Sequence, residues 1–65
     1  MKELDKLITS LNKRIDMHIK QSVKFQEKGE QENSAYNDGM AEGIRYAIEE
    51  IEKANTSINI KLNNL

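Results

Sequence analysis

Apolar positions in the first half of the chain recur in alternating steps of four and three. Leu4, Ile8, Leu11, Ile15, His18, Ser22 and Phe25 fall on that line, the seam of a helix packed nearly parallel to a neighbour. Leu7 and Ile19 stand beside it and widen the apolar face beyond that of a strict two-stranded coil. The pattern stops at Lys28-Gly29, where glycine suits the left-handed residue that follows a helix end. After the polar stretch Glu30, Gln31, Glu32, either Asn33 or Ser34 is available to cap a second helix. That helix opens near Ala35. Tyr36, Met40, Ile44, Ala47, Ile48, Ile51, Ile58, Leu62 and Leu65 fit one of its faces, with Asn55 among them. The run Thr56-Ser57-Ile58-Asn59-Ile60 is β-branched and alternating, so a short strand competes there. The helical spacing of Ile51, Ile58, Leu62 and Leu65 favours a helix that frays.

The pattern predicts an all-α fold, a single antiparallel two-helix hairpin over 1–65, with a helix over about 3–28, a turn over about 29–33 and a helix over about 34–62. A turn near residue 31 sets position i opposite about 62 minus i. Phe25 then lies near Asn37, Ser22 near Met40, His18 near Ile44, Ile15 near Ala47 and Leu11 near Ile51. Residues beyond about 60 overhang the N-terminus in that register.

Small residues recur every four positions at Ala35, Gly39, Gly43 and Ala47. A glycine inside a helix costs about 1 kcal/mol relative to alanine, and a helix that carries two normally lets another backbone come close. In the expected register, Phe25, with Ser22 and His18 below it, packs on this thin stripe. Gly43→Leu is then expected to break the packing although leucine is the better helix former.

Composition sharpens the picture. The 65 residues allow one small domain, without proline or cysteine and with one Phe, two Tyr and no Trp. No disulfide or thiolate metal site is available. Residues 1–28 hold seven Lys/Arg against four Asp/Glu, and residues 29–54 hold two against seven. A basic helix beside an acidic one favours the antiparallel pairing, unless both charged faces are simply solvated. The net charge of −1 lacks the basic excess of a general nucleic-acid binder. No apolar run approaches a membrane span, and the first residues lack a signal-peptide core, so a cytoplasmic protein is expected. Ordering 65 residues costs on the order of 100 kcal/mol, more than one apolar seam offsets. Self-association into a homodimeric four-helix bundle, or docking on a partner, would cover the surplus apolar residues.

Candidate chemistry is sparse. His18 is either a metal ligand or pH switch, or a seam residue bonded to Ser22 or the facing helix. No second ligand stands at a matching offset, which favours packing. Glu27 with Glu30, and Glu49 with Glu52, form E-x-x-E pairs of the kind that hold magnesium in all-helical nucleotide pyrophosphatases. Here the first pair straddles the helix end, and a solvated acidic face is the preferred reading. Lys6, Lys13 and Lys20 recur every seven residues, followed by Lys24 and Lys28. This line faces phosphates or an acidic protein, or it is a solvated flank, and no aromatic residues are interleaved to stack on bases. The glycine stripe lacks the spacing of a phosphate loop. No catalytic residue, cofactor or metal ligand is assigned.

The stretch Tyr36-Asn37-Asp38-Gly39-Met40-Ala41-Glu42-Gly43-Ile44-Arg45-Tyr46-Ala47-Ile48-Glu49-Glu50-Ile51-Glu52 resembles a pattern in short helical accessory proteins of phages and prophages of low-GC Gram-positive bacteria. In those, an aromatic, two spaced glycines and an Ala-Ile pair open an acidic second helix. The resemblance implies a non-enzymatic factor that binds and disables a host protein, such as a CRISPR effector, another defence system or a host enzyme. It carries over no catalytic residue. The expected function is therefore a protein-binding inhibitor with Asp38, Glu42, Glu49 and Glu52 as candidate partner contacts. The competing functions are a small DNA-linked regulator using the basic first helix and a metal-dependent nucleotide hydrolase.

Overall fold

The computed structural model describes the backbone of residues 2–63 and the side chains of residues 2–57. It is the antiparallel hairpin that the spacing predicts: α1 (Lys2–Glu27, 26 residues) and α2 (Gln31–Asn63, 33 residues) pack against each other. Glu3 and Asp5 in the first turn of α1, and Lys24 in its last, complement the helix dipole. The described helix runs through residues 56–63, so the alternative strand at 56–60 is not formed.

The connection is shorter than expected, Lys28 to Glu30 only. Gly29 has φ of +79°, its N–H donates to the Gln26 carbonyl at 3.0 Å, and the Glu30 N–H donates to the Phe25 carbonyl at 2.8 Å. This pair of bonds is a Schellman closure, which satisfies two orphan carbonyls at the helix end. The Glu30 carbonyl then accepts the Ser34 N–H at 3.1 Å, so α2 starts three residues earlier than a cap at Asn33 or Ser34 would allow. Ser34 is not a cap. Its hydroxyl turns inward to the Ser22 hydroxyl, 2.9 Å away.

The tight turn resets the register. His18 meets Asn37 and Ser22 meets Ser34, so facing residue numbers sum to 55 or 56 rather than about 62. The shift is close to one heptad. The N-terminus is therefore level with about residue 55, and α2 overhangs from there rather than from about residue 60. Neither Phe25 against Asn37 nor Ser22 against Met40 is a contact of this fold. Half-buried Phe25 closes the seam beside the turn.

On α1, Leu4, Ile8, Leu11, Ile15, His18, Ser22 and Phe25 are buried or half-buried, and every other described side chain is exposed. On α2 the seam is Ser34, Asn37, Ala41, Ile44, Ile48, Ile51 and Asn55. Ile44, Ile48, Ile51 and Asn55 are as expected. Tyr36, Gly39, Met40, Gly43 and Ala47 are all exposed, Tyr36 to 68%, and do not pack against α1. The side chain of Ile58 lies outside the described residues. The core centres on Ile15, Ala41 and Ile48, with Ile8, Leu11 and Ile44 packed against it. A Cβ built at Gly39 or Gly43 meets nothing within 4 Å, so neither glycine makes room for α1, and the expectation that Gly43→Leu breaks the hairpin's packing loses its basis.

Candidate interaction surface

Toward the turn the seam becomes polar. Asn37 donates through Nδ2 to the Asn33 carbonyl at 2.9 Å, which leaves its Oδ1 as an acceptor for His18 Nδ1, also at 2.9 Å. His18 Nδ1 is therefore the donor of this pair. His18 thus bonds to the facing helix, one of its expected packing roles, and not to Ser22. Buried Ser22 and Ser34 satisfy each other. No buried side-chain nitrogen or oxygen among the described residues lacks a partner, so this layer holds the hairpin in register without leaving a group free for chemistry.

Outside the seam the hairpin has two faces. On one, a groove is lined by Asn12, Ile15, Asp16 and Ile19 of α1 and by Arg45, Ile48 and Glu49 of α2. Helical spacing sets Asp38, Glu42 and Glu52 on the same flank of α2 as Arg45 and Glu49. The four acidic residues singled out in the sequence thus share one exposed flank. Arg45 Nη1 bonds Glu42 Oε1 at 3.1 Å across one helical turn. This exposed pair leaves the flank acidic.

The opposite face carries a second set of apolar positions. On α2 they are Tyr36, Met40, Gly43, Ala47 and Ala54, whose spacing of four, three, four and seven is itself a heptad line. Helical spacing sets Leu7 of α1 on the same side of the hairpin. Tyr36 and Met40 belong to a set of seven large exposed hydrophobics with Leu7, Met17, Ile19, Val23 and Tyr46. Only three hydrophobic residues, Ile15, Ala41 and Ile48, are buried among the described residues.

The remaining sequence candidates are not assembled. Glu27 ends α1 and Glu30 lies in the turn, whereas Glu49 is level with about residue 6 of α1. The two acidic pairs are therefore separated by about 30 Å at 1.5 Å per residue. Among the described residues no three His, Asp or Glu side chains gather as a metal site. Lys6, Lys13 and Lys20 are exposed along the back of α1. Lys13, Lys20 and Lys24 line a groove with Asp16, Met17 and Gln21, so an acidic group interrupts the basic line. No described helix is long and apolar enough to cross a membrane.

Sequence reasoning missed Ser34, Asn37 and Ala41 because Tyr36, Met40 and Ala47 look more like core. A signal was present: stepping back from Ile51, Ile48 and Ile44 by three and four reaches 41, 37 and 34. Two of those are polar, as the polar seam positions His18 and Ser22 require of their partners. Comparisons with protein-family models, curated proteins and solved structures return no match.

Proposed function

We propose that this chain is a non-enzymatic protein-binding factor, a phage-type accessory inhibitor that docks on a host protein through a helical face. The observation that carries this reading is the imbalance of its surface: seven large hydrophobic side chains are exposed while three hydrophobics form the buried core. Exposed apolar groups on that scale mark surfaces that meet other macromolecules. The acidic flank of Asp38, Glu42, Glu49 and Glu52 adds a charge preference, so the target surface is basic, and it steers association more than it adds affinity. The resemblance of residues 36–52 to phage accessory proteins supports the inhibitory role and a site of action in the host cytoplasm.

The test is capture. The tagged chain, incubated with lysate of a low-GC Gram-positive bacterium, should retain one protein in stoichiometric amount. The double variant Glu42→Lys, Glu49→Lys should lose it while keeping its helicity. Recovery of nothing above background, or of the same protein with the charge-reversed chain, would overturn the reading.

A further inference from the structure

We infer that the apolar face of α2 is the self-association surface of this protein: a second copy packs on it, the two α2 helices crossing antiparallel about a two-fold axis at Gly43. Between residues 35 and 54, the charged residues Asp38, Glu42, Arg45, Glu49 and Glu52 all fall on the opposite flank. Two acidic helices that met through that flank would repel. Through the other they meet on Tyr36, Met40, Gly43, Ala47 and Ala54, with Glu50 and its ion-pair partner Lys53, 3.6 Å away, the charges at the edge of the strip. The strip is therefore the one side of α2 on which the helix tolerates its own copy.

The order of side chains along the strip is self-complementary. A two-fold axis at Gly43 sets Met40 over Ala47 of the partner subunit and Tyr36 over Glu50 of the partner subunit, each large group against a smaller one or a hydrogen-bonding one. The phenol then has a carboxylate to donate to. At the axis the two copies of Gly43 allow the backbones to approach closely, which accounts for a helical glycine whose missing Cβ nothing in the hairpin occupies. Over the 26 residues of α1, about 39 Å at 1.5 Å per residue, a face 18 Å wide offers on the order of 700 Å², close to the roughly 800 Å² per partner of a stable protein interface. The product is a four-helix bundle built from two hairpins.

Purified protein alone tests this, independently of whether a host target exists. Sedimentation equilibrium at micromolar concentration should give twice the 7.5 kDa chain mass. Gly43→Leu should weaken the dimer at least tenfold, whereas Glu49→Leu on the opposite flank should not. Because a leucine variant can fail to fold, single cysteines in this cysteine-free chain provide a second measurement. Mild oxidation should convert Gly43→Cys to a covalent dimer, since a residue on the two-fold axis meets itself within disulfide reach, and leave Glu49→Cys monomeric. A folded wild-type monomer at tens of micromolar, or equal cross-linking from both positions, would overturn the inference.

Discussion

The two helices distribute their apolar residues differently. α1 withdraws a single line of seven positions from water and leaves Leu7, Met17, Ile19 and Val23 scattered over the rest of its surface. α2 carries two lines about 110° apart at 100° per residue. One, from Ser34 to Asn55, faces α1, and the other, from Tyr36 to Ala54, faces outward. A helix with one seam has its packing written into its spacing. A helix with two seams has its orientation decided by its partner, here by the polar layer at His18 and Ser22.

Substitutions on the two lines of α2, and at the seam of α1 they depend on, test that difference. The largest effect is expected at the core. Ile15 is 6% exposed at the centre of the apolar cluster, and Ile15→Ala should cost about 2–4 kcal/mol, enough to abolish the far-UV helical signal of so small a fold. Met40→Ala, on the outer line, should leave the unfolding of a monomeric hairpin within about 0.5 kcal/mol of wild type. Equal losses in urea titrations would erase the distinction between the lines.

The polar layer comes next. Asn37→Ala strips His18 of its partner and should cost about 1–2 kcal/mol. Ser22→Ala or Ser34→Ala alone should cost about 1 kcal/mol, while the double variant should recover most of the loss, because removing both partners leaves no buried hydroxyl unsatisfied. A double-mutant cycle in urea measures the coupling, and strict additivity would show that the 2.9 Å contact contributes nothing.

The glycines should move in opposite directions. Gly29→Ala forces an L side chain into left-handed backbone and should cost about 1 kcal/mol although no atom lies in its way. Gly39→Ala, in open helical backbone, should stabilise a monomeric hairpin by about 0.5–1 kcal/mol. Thermal melts of the two variants compare them directly. The smallest effect is expected at the exposed Arg45–Glu42 pair, where Glu42→Gln should change stability by less than about 0.5 kcal/mol.

Most of the fold was legible because hydrophobic spacing records helix faces: the hairpin, the whole α1 seam, and Ile44, Ile48 and Ile51 of α2 all follow from it. The register was not, because a slip of one heptad returns every residue to the same face, and apolar spacing cannot distinguish the two alignments. Only the polar residues differ between them, and a serine or asparagine in a seam reads as a surface residue until its partner is known. The acidic flank was legible as four residue types at helical spacing. The outward strip was read as core because Met40 and Ala47 are indistinguishable by chemistry from the residues that α1 covers.

The turn carries a topological consequence. Gly29 has the only positive φ among the described residues, at the centre of the three-residue connection between the helices. Were that residue to adopt helical backbone, α1 and α2 would merge into one rod of about 90 Å at 1.5 Å per residue. Two such rods could exchange halves, each seam closing on the other chain with the same side chains in contact. Whether the chain folds back on itself or extends to exchange a helix with a copy is thus set by the handedness of one residue.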